Sequence, residues 1–360
     1  MRRICFVTIG NLYMVPYIDM YKKYIKGEYS VIYWDRENKN EYDVENTYYR
    51  FNKSFDPHEK IRKAFGYIQY HNYVKKVLLE NQFDMVILLQ TWSALLLADV
   101  LTKNYSGKYI VDIRDYTYEK NPIIYNIEKV LVKNSYSCVV SSKGYMEFLP
   151  PHKYFVAHNM RELSPEKVYH IQNRKKQKDK LSISFVGYVN YQEQHKKLML
   201  ALKNDDRFHL NFVGTRAKEL KSFCDENGIE NVTLIDTFDS DKILDFYLTT
   251  DFVNNLYGNH TPTLDYALSN KLYFAAELQM PILVCKDTYM STVSEQYGFG
   301  YTVDVIDDNL GNQLFEYYSN INWEKLKTGC QNFLRDATLE QEQFVDIIKK
   351  AVGYETELNI

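Results

Sequence analysis

The chain has 360 residues, 45% of them hydrophobic and 25% charged, with a formal net charge of −3. That length supports two domains with separate cores, the composition is that of an ordinary globular protein, and the charge balance gives no sign of bulk nucleic-acid binding. Tyrosine is abundant at 33 residues against 14 glycines and 8 prolines, which reflects either gene base composition or a stacking and hydroxyl surface for sugars. The five cysteines, Cys5, Cys138, Cys224, Cys285 and Cys330, form no CxxC pair and read as buried thiols of a reducing compartment. Met1-Arg2-Arg3 is basic, but the apolar run Ile4 to Ile9 is too short for a secretory signal. No stretch reaches the ~18 apolar residues of a spanning helix, so a cytoplasmic location is expected.

Arg3 to Thr8 (RICFVT) reads as a buried strand. Gly10-Asn11 turns the chain into a helical pattern from Tyr13 to Ile25, and Glu28 to Trp34 gives the next strand. This is a βαβ opening without G-x-G-x-x-G, so no dinucleotide fingerprint is present. A short strand near Tyr48 to Phe51 precedes a helical pattern over Pro57 to Glu80, with Ile61, Ala64, Phe65, Ile68, Val74, Val77 and Leu78 on the inner side. Lys60, Arg62, Lys63, Lys75 and Lys76, interleaved with Tyr67, Tyr70 and Tyr73, suit anionic lipid headgroups or simply a solvated basic face.

Phe83 to Gln90 is a strand, Trp92 to Lys103 a helix, and Tyr109 to Ile113 a buried strand that ends in Asp112-Ile113-Arg114-Asp115. In open α/β sheets ligands bind at the carboxyl ends of strands. A carboxylate there, Asp112 or Asp115, can orient an acceptor hydroxyl or take its proton, and Arg114 can hold phosphate. An Asp–Arg pair that only ties the loop is the alternative. A helix from Asn121 to Lys133, a strand Ser137 to Ser141, a short helix Lys143 to Phe148 and a strand Tyr154 to Ala157 complete this half. A polar, basic stretch then reads as a linker.

The second half restarts with a strand Leu181 to Val186 before Gly187, a helix His195 to Leu202, a strand Phe208 to Val213 before Gly214-Thr215-Arg216, a helix Ala217 to Glu226, a strand Val232 to Ile235, a helix Ser240 to Leu248 and a strand Asp251 to Asn254. In LSNKLYFAAELQMPILV, Ser269 is a good N-cap, no Gly or Pro interrupts Asn270 to Met280, and Pro281 turns the chain into a buried strand. Unpaired N–H groups at Asn270 and Lys271, the macrodipole and the Lys271 charge together favour a phosphate. Helices Leu310 to Ser319, Trp323 to Arg335 and Gln341 to Val352 end the chain.

The stretch YALSNKLYFAAELQMPILV resembles the donor-binding segment of family-4-type nucleotide-sugar glycosyltransferases, with Asn270, Lys271, Leu272, Pro281 and Ile282 on the matching positions. The resemblance extends along nearly the whole chain. It implies a GT-B fold: an α/β chain of two Rossmann-like, doubly wound parallel-sheet domains facing across a cleft. The divisions implied are an acceptor domain over 1–160, a linker over 161–180, a nucleotide-sugar donor domain over 181–335, and a final helix over 336–360 that returns to the first domain.

The resemblance also implies roles. Gly187 and Lys196 match positions near the donor diphosphate, and Arg216 stands where it can compensate for Tyr188, which replaces the family's arginine. Asp112, Arg114 and Asp115 match an acceptor-side segment, and Gly10 and Asn11 a cleft loop, with a plain tight turn as the other reading. Phe274 stands where relatives carry the ribose-binding Glu, and Tyr266 replaces a second acid; Asp265 and Glu277 lie nearby out of register.

The implied activity is transfer of a sugar from a nucleoside diphosphate sugar to a hydroxyl of a saccharide acceptor. The implied setting is bacterial capsule or exopolysaccharide synthesis on a lipid-linked acceptor, with retention of configuration. No cofactor and no metal ligand set is expected. The nucleotide sugar and acceptor are the expected partners, with peripheral membrane association left open and no nucleic acid. A non-catalytic transferase-like partner protein and a nucleotide-sugar epimerase on the same fold remain the alternatives.

Overall fold

The computed structural model describes residues 2–54, 60–176 and 178–354. It divides into two compact units, one running to His158 and resumed from Leu339, the other spanning Asn159–Thr338. In the first unit the strands are β1 (Ile4–Thr8), β2 (Ser30–Asp35), β3 (Thr47–Asn52), β4 (Met85–Leu89), β5 (Tyr109–Ile113), β6 (Ser137–Val140) and β7 (Tyr154–Val156). They form one parallel sheet in the order β3-β2-β1-β4-β5-β6-β7. β1, β4, β5 and β6 are buried along their whole length, as unbroken runs of Ile, Val and Leu require in a sheet covered on both faces. The covering helices are α1 (Asp19–Lys22), α2 (Lys60–Asn81), α3 (Thr91–Leu96), α4 (Ala98–Asn104) and α5 (Pro122–Asn134).

Several expected helices differ. The pattern from Tyr13 to Ile25 is broken into 3-10 turns at Leu12–Met14 and Pro16–Ile18 before α1, because Pro16 lacks the N–H that a continuous helix would need. The segment from Trp92 to Lys103 bends at Leu97 into α3 and α4. The expected start at Pro57, and the side chains of Lys60 and Ile61, lie outside the described residues. In α2, Ala64, Phe65 and Ile68 face solvent, while Tyr70, Val74, Val77 and Leu78 are buried. The tyrosines expected on the basic outer face in fact form much of the inner one: Tyr70 stacks on Trp34 at 5.2 Å, and Tyr67 and Tyr73 contact Trp34 and Phe51 at 5.3 and 5.5 Å. A large ring buries more apolar area than alanine and fills the space over β2 and β3.

The second unit opens with α6 (Pro165–Gln172), inside the stretch expected as a linker; Ser164 caps it and Ile171 is fully buried in the unit's core. Its strands are β8 (Leu181–Val186), β9 (Phe208–Val213), β10 (Val232–Ile235), β11 (Phe252–Asn255), β12 (Ile282–Cys285) and β13 (Gly300–Val303), parallel in the order β10-β9-β8-β11-β12-β13. The helices are α7 (Gln192–Ala201), α8 (Lys221–Asn227), α9 (Ile243–Tyr247), α10 (Pro262–Tyr266), α11 (Asn270–Glu277), α12 (Tyr289–Gln296), α13 (Leu310–Ser319) and α14 (Trp323–Val352).

α14 joins the two helices expected at Trp323–Arg335 and Gln341–Val352, since the residues between them include neither Gly nor Pro. Its Leu326, Cys330 and Phe333 enter the second unit's core, and its Phe344, Ile348 and Ala351 enter the first unit's. No described helix is long and apolar enough to cross a membrane.

Candidate functional site

In the second unit the strand order reverses direction between β8 and β11. Connections leave that point to opposite sides and open a crevice at the strands' carboxyl ends. A cavity of about 530 Å³ occupies the place, bordered by Gly187 and Tyr188 after β8, Asn255 and Tyr257 at the end of β11, and Asn270, Lys271 and Phe274 of α11. Two glycines make the close approach there. A Cβ on Gly214 would stand 1.9 Å from the Gly187 carbonyl oxygen, and Gly187 itself has φ of 135°, a conformation that only glycine adopts freely.

Ser269 caps α11, its hydroxyl accepting from the Lys271 N–H at 3.2 Å. The Lys271 N–H expected to be unpaired is therefore taken, and what the helix start offers an anion is Asn270, the macrodipole and the Lys271 side chain. Lys271 is 5% exposed. Its Nζ donates to the Tyr257 hydroxyl at 2.7 Å and lies 3.9 Å from the Phe185 ring centroid. No carboxylate pairs with it among the described residues, and burial pulls its ammonium down to about 7. His195 is buried against Phe185 and Phe212, and burial, with the Lys271 charge adding to it, pushes it down to about 3.

Arg161, exposed on the same wall, supplies a second cation. Sequence reading missed Arg161 because it falls in the stretch taken for a linker. It also missed Asn255, which is 4% exposed with no hydrogen-bond partner for Oδ1, and Tyr257. Asn255 stands one residue past the expected end of its strand, and such a strand-end position at a sheet reversal is the signal that could have found it.

Of the residues expected at the donor site, Gly187, Asn270 and Lys271 meet in this cavity. Lys196 does not line it: its ammonium pairs with Glu193 at 2.9 Å beside the Phe223 ring. Arg216 is held by Glu219 at 3.0 Å, over the Tyr188 ring. Asp265 sits in α10, where Thr263 and Leu264, not its carboxylate, reach the cavity. Glu277, raised by burial, borders a small recess with Asn159 and Tyr273. Phe274 lines the cavity and stacks on Tyr247 at 5.4 Å. No Asp or Glu lines the cavity, and no three His, Cys, Asp or Glu side chains converge as metal ligands among the described residues.

In the first unit Asp112 is fully buried and accepts from Tyr21 Oη at 2.6 Å and from Arg114 Nε and Nη2 at 2.6 and 2.9 Å. Against the burial that lowers it, Asp112 holds the Arg114 guanidinium above its usual range. Asp112 and Arg114 thus tie the loop to the core. Asp115 is the exposed member; burial of its surroundings raises its carboxyl, with Arg114 opposing. Asn11 is buried, donates to Asp35 and Glu41 at 2.8 and 3.0 Å and accepts from the Arg36 N–H, so it locks the loops after β1 and β2. Gly10 is buried beside Met14.

Against solved structures, the chain is similar to sucrose-phosphate synthase from Thermosynechococcus elongatus, with a TM-score of 0.68 at 11% identity over 99% of this chain and 100% of that one. The fold is GT-B. A glycosyltransferase from Rickettsia africae superposes at 0.65 with 12% identity over 98% of this chain and all of that one. Anabaena Alr3699/HepE, solved in complex with UDP, does so at 0.65 with 13% identity over 97% and 100%. No protein-family model matches the sequence, and no curated protein does. At these identities the GT-B likeness concerns the fold, and the chemistry rests on the cavity.

Proposed function

We propose that the chain transfers a sugar from a nucleoside diphosphate sugar to a hydroxyl of a saccharide acceptor. The observation that carries this reading is the cavity around Lys271: a buried ammonium without a carboxylate partner among the described residues, at a helix start, beside the glycine loop after β8. GT-B neighbours crystallised with UDP and UDP-glucose support it. In this reading Lys271, Asn270 and Arg161 neutralise the leaving diphosphate, where preorganised charge counts most, and transfer is metal-independent. Asp115, the exposed carboxylate at the end of β5, receives the acceptor's proton.

On the resemblance of the NKLYFAAELQMP segment we take the transfer as retaining. On the same ground we take the acceptor as a lipid-linked saccharide of capsule or exopolysaccharide assembly, reached from the cytoplasm.

A second reading, a nucleotide-binding partner protein without catalysis, is favoured by one feature. Phe274, where a carboxylate is expected from the resemblance, is stacked into the core, and no carboxylate among the described residues lines the cavity.

A thermal-shift screen with UDP, GDP, CDP, ADP and their sugars tests the donor site, since a ligand that binds only the native state raises the melting temperature. A shift with one diphosphate and with its sugar is expected, followed by release of the diphosphate when acceptor is supplied. A shift without release under any acceptor favours the second reading. Silence from every nucleotide overturns both.

A further inference from the structure

The sequence of α5, PIIYNIEKVLVKN, places Ile123, Ile127 and Val130 four and then three residues apart, which is one stripe of a helix. In the structure that stripe faces outward. The three side chains are 70%, 37% and 50% exposed, while Glu128, Leu131 and Val132 on the opposite side are buried where the helix packs on α3 and α4. Two exposed rings lie close by in the chain and fold: Tyr118 in the loop before α5 and Trp92 in the first turn of α3, on which α5 packs, with centroids 6.5 Å apart. Tyr118 is held at φ of 67°, a conformation that bulky residues rarely adopt.

Exposed lysines lie near this apolar strip. Lys103, Lys120, Lys129 and Lys133 are exposed, and none makes an ion pair among the described residues. At 100° per residue, Lys129 and Lys133 stand about 80–120° round the helix from the stripe, on a single flank. The carboxylate of α5, Glu128, is turned inward, as is that of Glu119 just before it. The outer face of α5 therefore combines aliphatic residues, an indole, a phenol and unneutralised lysines.

We propose that this face of the first unit docks on an anionic lipid surface, with α5 lying in the headgroup layer. Aliphatic side chains enter the acyl boundary, amphipathic rings favour the interface, and lysines meet lipid phosphates. A second copy of the chain fits the face less well. In a two-fold contact the same patch would face itself, and that patch brings the lysines no carboxylate. The proposal is independent of the donor site, because none of these residues lines the Lys271 cavity.

The test is co-sedimentation of the full chain with vesicles of phosphatidylcholine alone and of equal parts phosphatidylcholine and phosphatidylglycerol, at low and high salt. Expected is binding to the anionic vesicles, reduced by salt. It should weaken at least about tenfold in the exposed-charge variant Lys129→Gln/Lys133→Gln, as neutralising two surface lysines implies. A comparable loss is expected in Ile123→Ser/Ile127→Ser. Unchanged melting temperatures of both variants show that the fold is intact. No binding by the native chain, equal binding to neutral vesicles, or full binding by both variants overturns the proposal. A concentration-dependent dimer that Ile127→Ser abolishes, without lipid binding, assigns the face to a second copy and overturns it as well.

Discussion

The Lys271 ammonium donates to the Tyr257 hydroxyl at 2.7 Å and lies beside the aromatic faces of Phe185 at 3.9 Å and Tyr257 at 4.9 Å, with no carboxylate partner among the described residues. A cation so placed is poorly solvated, which is why its proton is held only to about pH 7. In the proposed donor site an incoming diphosphate would supply the missing negative charge and raise that value.

The sign of the resulting pH dependence is fixed. Below about 7 the empty site is already charged, and Lys271 adds no slope. Above it, binding must take up a proton, so nucleoside diphosphate affinity falls by up to tenfold per pH unit. Calorimetry at pH 8 in buffers of different ionisation enthalpy should register uptake of up to one proton. Binding with no proton uptake would remove Lys271 from the phosphate site. Lys271→Met should lose this uptake and weaken binding by about 1.5–3 kcal/mol, the worth of a charged hydrogen bond.

Asp112 is tied into the core by Arg114 and Tyr21, and the proposed reading assigns the acceptor-side role to Asp115. Asp112→Ala leaves the Arg114 guanidinium buried without its counter-charge and should cost about 3–5 kcal/mol in urea denaturation. Asp115→Asn should change stability by less than about 1 kcal/mol and abolish transfer while donor affinity is kept. Loss of donor binding in Asp115→Asn would contradict an acceptor-side role.

Much of this was legible beforehand, and the gaps have physical causes. The first parallel sheet follows from continuous runs such as RICFVT, FDMVILLQ and YIVDI, because burial on both faces permits no polar alternation. Ser269 and Pro281 bracketed α11 in advance. What the sequence hid was direction: lysines and arginines look alike in a one-dimensional pattern, whether they pair locally, as Lys196 does with Glu193 and Arg216 with Glu219, or face a cavity, as Arg161 does. The inner face of α2 was misread because tyrosine counts as polar in a periodicity yet buries like phenylalanine when its hydroxyl finds a partner, as Tyr70 finds the Thr8 carbonyl.

Glu128 carries a second titration. Burial, reinforced by Glu119, pushes its carboxyl up to about 8, and both its oxygens are without hydrogen-bond partners. The native state keeps a proton that the unfolded chain releases near pH 4.5, so this residue's contribution is complete below 4.5 and is lost as pH rises to 8. Glu128→Gln should therefore stabilise the protein by about 1–3 kcal/mol at pH 8 and above, and by little at pH 4.5. A variant equally stable to the native chain at pH 9 would mean that the carboxylate is solvated.

Phe274 tests how far the cavity wall is also core. It is 6% exposed, stacked on Tyr247 and flanked by Leu268 and Met290 in one apolar cluster. Phe274→Ala should cost about 3–5 kcal/mol, as truncation of a buried ring does. A loss under about 1 kcal/mol in urea denaturation would show that the ring belongs to the ligand site alone.

The two ends of α14 have a consequence for biosynthesis. The side chains that close the first unit's core, Phe344 against Tyr21 at 5.4 Å, with Ile348 and Ala351 beside it, are translated more than three hundred residues after Phe6 and Tyr21. Asn159–Thr338 is contiguous and can complete itself as it leaves the ribosome. The opening strands must wait, with an apolar face uncovered, until more than three hundred residues have followed them. On the nascent chain the second unit is therefore finished before the first, and that interval is when the first unit's apolar surface is exposed to aggregation.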